Sequence, residues 1–163
     1  MAESDKPVGD ENGLPLASSV GYQLRTTHRV AQRCLQAAIE PHGVTLGMWY
    51  FLRVLWQEDG LTQRELSRRI GTMEPTTLTA IASMEKSGLV LRERDAVDRR
   101  KLHVRLTPKG QALKALLLPL ASGVGEKAMA GFSDADRQRF LGYLAAIQHN
   151  LSDLPVTEAP AED

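Results

Sequence analysis

Between residues 61 and 110 the hydrophobic period changes once, from helical to alternating, and this change limits the fold more than any other feature of the chain. The stretch opens with Thr62 and Glu65, a T-x-x-E capping box in which each side chain satisfies a free backbone donor at a helix start. Leu66 and Ile70 give that helix a narrow apolar face, and Gly71 stops it. A second helix opens at Pro75, whose missing N–H would be unpaired at a first position anyway. Leu78, Ile81 and Met84 are its expected buried side, and Gly88 its end. That leaves Thr76, Thr77, Thr79, Ala80, Ser83 and Lys86 outside, small or polar groups that suit a groove. Beyond Gly88, Leu102, Val104 and Leu106 alternate with Lys101, His103 and Arg105, as a strand with one wet face must. Leu89 to Arg94 is its expected partner. Two short helices, a tight turn and a two-stranded hairpin with a charged tip make a winged helix-turn-helix. The expected fold class is mainly α with a small β-hairpin wing.

Charge points the same way. The 163 residues carry no net charge, yet residues 61–110 hold 11 basic and 6 acidic side chains, a net of +5. The remainder holds 9 and 14, a net of −5. A basic module on an acidic body is the electrostatic footprint of a DNA binder. No apolar run approaches the roughly 18 residues of a membrane span. The N-terminal MAESDKPVGDENG is acidic and polar, unlike a signal peptide, so a cytoplasmic protein is expected. One cysteine excludes an internal disulfide framework and an all-cysteine zinc site. His28, His42, His103 and His149 are scattered without ligand spacing, and no phosphate loop or nucleophile elbow occurs. Neither a metal, a cofactor nor an enzymatic activity is expected.

One domain is expected over 17–151, between a mobile N-terminal segment 1–16 and an acidic, proline-containing tail 152–163. Ser18 or Ser19 can cap a first helix ending near Ala38 or Ile39, with Val20, Leu24, His28, Ala31, Leu35 and Ala38 on one face. Thr45 caps the next, LGMWYFLRVLWQED, which is apolar nearly all round and so enclosed on several sides. Trp49, Tyr50, Phe51 and Trp56 are four of the eight aromatic residues; they pack the core or line a small-molecule pocket. Arg53, one turn after Trp49, can clamp a carboxylate with its planar fork, or pair with Glu58 or Asp59. His28 is either a satisfied buried histidine or a hydrogen-bond partner for a bound acid, with Arg25 one turn earlier. Cys34 reads as a small buried hydrophobe, with redox sensing as the alternative. A long helix follows Thr107 and Pro108, with Leu113, Leu116, Leu117, Leu120 and Val124 on its apolar side and an expected bend at Pro119. Ser133 and Asp136 start the last helix, whose expected inner face is Phe140, Leu141, Leu144, Ile147 and Leu151.

The order Gly88, Leu89, Val90, Arg92, then Asp98, Arg99, Arg100, then Val104, Leu106, Thr107 and Gly110 resembles the MarR family of transcriptional regulators. The resemblance covers nearly the whole chain. It implies a winged helix-turn-helix lobe at about 45–107 and a two-fold dimer built from helices at about 17–40 and 108–151. It also implies a double-stranded, pseudo-palindromic DNA partner. The helix from Pro75 to Lys86 would enter the major groove, bringing Thr76, Thr77, Thr79, Ala80 and Ser83 to base edges. Many members carry an arginine near the position of Ala80, and this chain departs from them there. Arg100 matches the family arginine that enters the minor groove, and Asp98 the acid that orients it. Arg99, Lys101, Arg64, Arg68 and Arg69 are placed for phosphates. An effector pocket between body and DNA lobe is common in the family. Arg25, His28, Trp49 and Arg53 are its candidates here, with an aromatic carboxylate or a thioester of one as ligand. The expected function is a repressor released by that effector, with a constitutive architectural DNA binder as the alternative.

Overall fold

Side-chain caps fix where the helices begin. In the computed structural model, which describes residues 15–99 and 101–152, the Ser19 hydroxyl accepts from the Tyr22 N–H and opens α1 (Val20–Ile39). Thr45 does the same for α2 (Leu46–Leu55) through the Met48 N–H. Thr62 and Glu65 make the reciprocal box at the start of α3 (Gln63–Ile70). The Glu65 carboxyl is held below its usual range, first by the Thr62 hydroxyl and then by the Thr62 N–H. Gly71 closes α3 with φ 72°, a left-handed conformation that lets the chain turn at once into α4 (Glu74–Lys86). Pro75 lies in the first turn of α4, one residue after its start.

The wing is a three-stranded antiparallel sheet in the order β1 (Leu61–Thr62), β3 (Leu102–Leu106), β2 (Val90–Arg94). The hairpin register pairs Val90 with Leu106, Arg92 with Val104 and Glu93 with His103. The third strand was not expected: Leu61 pairs with Val104 and Thr62 with His103. It ties the α3 cap directly to the wing.

The described residues fall into two units, divided after Gly125. In the first, the core joins Trp49, Phe51, Leu52 and Leu55 of α2 to Leu66, Ile81, Met84, Val104 and Leu117. The enclosure expected of α2 is what the structure has. The Trp56 indole N–H donates to the Gly110 carbonyl at 3.0 Å, and Lys114 Nζ donates to the Trp56 carbonyl at 3.1 Å. These bonds join α5 (Pro108–Ala128) to the end of α2; α5 continues as a helix through Pro119.

The second unit holds the end of α5 and α6 (Asp134–Ser152), which Ser133 and Asp136 open. One of its ion pairs, Arg137 with Glu126, spans 2.7 Å. No residue of α6 is buried: Phe140, Leu141 and Leu151 of the expected inner face are all exposed. Only Ile39 is buried along α1, where Val20 and Leu24 are exposed. Two long helices therefore leave apolar faces open. The segments expected to be mobile lie outside the described residues except at their inner ends, where Leu16–Ser18 makes a 3-10 turn and Ser152 ends α6. No described helix is long and apolar enough to cross a membrane.

Candidate nucleic-acid interface

Three hydroxyls lock α3 against α4. Ser67 Oγ donates to Thr77 Oγ1 at 2.8 Å, and Thr72 Oγ1 shares a second bond with Thr77 at 2.9 Å. Thr77 has no exposed surface. This corrects the expectation that Thr77 reaches base edges and Leu78 packs inward. Thr77 shares its face with Ile81 and Met84 at spacings of four and seven, while Leu78, 46% exposed, turns outward. Burying the threonine is tolerable because Ser67 and Thr72 satisfy its hydroxyl. A second small polar residue at Ser67, on the inner side of α3, was the available signal.

The outer face of α4 presents Thr76, Leu78, Thr79, Ala82, Ser83 and Lys86, all exposed, with Ala80 half-buried. The Thr79 hydroxyl donates to the Pro75 carbonyl at 3.1 Å, which commits its proton within the helix. Thr76, Thr79, Ala80 and Ser83 also line a groove of about 360 Å³ against Thr45 and Gly47 at the start of α2. On α3, Arg64 and Arg68 are exposed and form no ion pair among the described residues. Arg69 is drawn into a surface pair with Glu58 at 2.6 Å.

The wing tip is ordered by Asp95. Its Oδ1 accepts from the Val97 and Asp98 N–H groups, both at 2.8 Å, in an Asx-type turn. Lys101 N–H donates to the Asp98 carbonyl, and Asp95 N–H to the Lys101 carbonyl. These bonds to Asp98 and Val97, followed by His103, hold the Asp95 carboxyl down at about 2. Asp98 is half-buried, while Arg99 and Lys101 are exposed. Arg100, the expected minor-groove arginine, lies outside the described residues. Arg92 pairs with Glu85 at 2.7 Å, linking β2 to the last turn of α4. The basic tip and the face of α4 thus belong to one unit with several direct ties.

Of the candidate effector residues, only two meet. The Arg53 guanidinium lies 5.5 Å from the Trp49 ring centroid, a cation–π contact. Trp49 is itself core, 3% exposed and edge-on to Trp56 at 5.8 Å, the core-packing reading of the two given for these aromatics. Glu58 and Asp59 do not take Arg53: Glu58 holds Arg69, and Asp59 accepts from the Leu106 N–H at 2.9 Å. Arg25 and His28 are exposed on α1, where no hydrogen bond, ion pair or ring contact among the described residues joins them to the other two. His28 is therefore not a buried histidine, and Cys34 is likewise exposed rather than a buried hydrophobe. The apolar pattern of α1 misled both readings, because that helix is covered by little of its own chain. Among the described residues no three metal-ligating side chains gather.

Comparison with known proteins follows the same segments. A family model described as "MarR family" matches residues 44–102. The crystal structure of a MarR transcriptional regulator from Methanosarcina mazei Go1 is similar at 34% identity and a TM-score of 0.74, over 80% of this chain and 94% of that one. The HTH-type transcriptional regulator TtmR of Methylorubrum extorquens is 29% identical over 94% of this chain and 78% of that protein. The transcriptional repressor CouR, solved on a 23-mer DNA duplex, matches with a TM-score of 0.76 and 25% identity over 82% of this chain and 94% of its own.

Proposed function

The chain belongs to the MarR family of transcriptional regulators, and from that premise we propose that it is a homodimeric repressor of a pseudo-palindromic operator, released by a small aromatic carboxylate or a thioester of one. That it is a DNA-binding transcriptional regulator and not an enzyme follows from the family itself. The observation that carries the rest is the pairing, in one unit, of an exposed face of small residues on α4 with a basic wing tip. In this reading α4 lies in the major groove, where Thr76, Leu78, Thr79, Ala80, Ala82 and Ser83 meet bases and Lys86 meets phosphate. The wing enters the minor groove through Arg100, with Asp98 orienting it and Arg99 and Lys101 on the flanking phosphates. Arg64 and Arg68 fix the register on the backbone.

The open apolar faces of α1 and α6 support a dimer, since a second copy is the partner that would cover them symmetrically. Two α4 helices would then meet half-sites roughly 10 bp apart. For the effector, the support is Arg53: an exposed guanidinium on a tryptophan face that no carboxylate of the described residues pairs. Arg25 and His28 would complete the ligand's contacts. A ligand acts here only by binding one spacing of the two α4 helices better than the other. The test is Arg100→Ala, expected to weaken specific binding at least about tenfold, or ~1.4 kcal/mol, while the dimer stays folded. Unchanged operator affinity in that variant removes the wing from the interface.

A further inference from the structure

His103 is the one histidine in the wing, and both its ring nitrogens are engaged. Nδ1 lies 2.7 Å from the Gly60 carbonyl and Nε2 lies 2.9 Å from Asp95 Oδ2. A carbonyl and a carboxylate are both acceptors only, so the two bonds together require a proton on each nitrogen. The neutral ring has one proton and can keep one of them. Asp95 uses its other oxygen to hold the tip turn through Val97 and Asp98. A continuous polar chain therefore runs from the α2–β1 connection, through β3, to the segment that carries Arg99, Arg100 and Lys101.

We infer that His103, with Asp95, is a positioning residue for DNA binding: its doubly protonated ring holds the wing tip in the geometry that presents the basic residues to the minor groove. This rests on the proposed wing contact. The charged groups around the ring agree with its holding a proton. Asp95 faces it across the hairpin, Glu65 approaches from α3, and Glu93 sits opposite in the β2 register. Arg105, two residues on in β3, opposes the charge, but its Nε is already bound to Glu93 at 2.6 Å. Asp95 first, then Gly60, raises the His103 pKa above its ordinary value. A raised folded value means the link is intact at lower pH and is lost as pH rises through that value. The Asp95 carboxyl, at about 2, stays ionised throughout.

The experiment measures affinity of the full chain for a duplex it selects from a random pool, at constant ionic strength, from about pH 6 to about pH 8.5. Affinity should fall about fivefold across that range, the net scale of one ordinary hydrogen bond. His103→Gln, which donates from a single nitrogen and does not titrate, should bind weakly at both ends with a flat profile. His103→Arg, a permanent double donor, should keep its affinity at the upper end. A wild-type slope in His103→Gln, or no slope in the wild type, overturns the inference. Arg100→Ala separates the two levels of the argument: if it binds as tightly as wild type, the wing contact itself falls. If it binds weakly while His103→Gln behaves as wild type, only the His103 role falls. On the unmodified protein, an NMR titration of the His103 ring should show both nitrogens protonated above the pH at which a free histidine loses its charge; a normal titration contradicts the link.

Discussion

Gly110→Ala puts the junction between α5 and the wing to a direct test. Gly110 is in the first turn of α5, where alanine would normally be preferred by about 1 kcal/mol. Here a Cβ would stand 2.1 Å from the Leu89 carbonyl oxygen and 3.2 Å from Leu106 Cδ2. A carbon approaching a carbonyl oxygen stops at about 3.3 Å, so helix and strand must part by roughly 1 Å. The Leu89 oxygen is not free to retreat, because it accepts from the Thr107 N–H and hydroxyl. Moving the helix instead stretches the 3.0 Å bond from Trp56 Nε1 to the Gly110 carbonyl. Overpacking of this kind costs about 1–3 kcal/mol, and leaving the buried indole N–H unpaired costs about the same. Against a gain of about 1 kcal/mol from helix propensity, a net loss near 2 kcal/mol is expected. Urea unfolding at fixed protein concentration should show a lower midpoint with the slope unchanged, and melting should fall by roughly 4–8 °C. Gly47→Ala, whose Cβ would meet only Thr45 Oγ1 at 3.8 Å, is the control and should be neutral or stabilising. A midpoint for Gly110→Ala at or above wild type would refute the packing argument.

Two further predictions concern α4. Thr77→Ala leaves the Ser67 and Thr72 hydroxyls short of their shared partner and should destabilise the fold by about 1–3 kcal/mol in urea. A variant of full stability and reduced DNA affinity would instead return Thr77 to the base-reading face. Leu78, whose exposed side chain can only make apolar contacts, should read thymine methyl groups. Replacing thymine by deoxyuridine within the half-site should weaken wild-type binding and leave Leu78→Ala unaffected; equal losses in both proteins would exclude that contact.

What the sequence made legible was local. Ser19, Thr45 and the Thr62–Glu65 box act within one turn of chain, and each cap occurs where its spacing placed it. The hairpin was legible for a similar reason, because alternation over Leu102 to Leu106 requires only a neighbouring partner. β1 was not, since two residues show no period and Leu61 finds Val104 across 43 positions. Leu78 and Thr77 illustrate a second limit. Apolar Leu78 with Ile81 and Met84 fits a helix face about as well as Thr77 does, and only the hydroxyls of Ser67 and Thr72 decide between them. The His103 link needs Gly60 and Asp95 brought together by the sheet, and neither is a sequence neighbour. On α1, His28 and Cys34 lie on a helix whose apolar face its own chain leaves open, so hydrophobic pattern did not translate into burial.

In the proposed function, α4 and the wing read DNA sequence. The most direct measurement is equilibrium binding of the full chain, at one fixed salt concentration, to the duplex flanking its own gene and to a scrambled duplex of equal length and composition. Saturable binding to the flanking duplex should be at least about 10³-fold tighter than to the scrambled one. Equal affinity for the two would contradict it, leaving only the non-specific attraction that any basic surface has for phosphate.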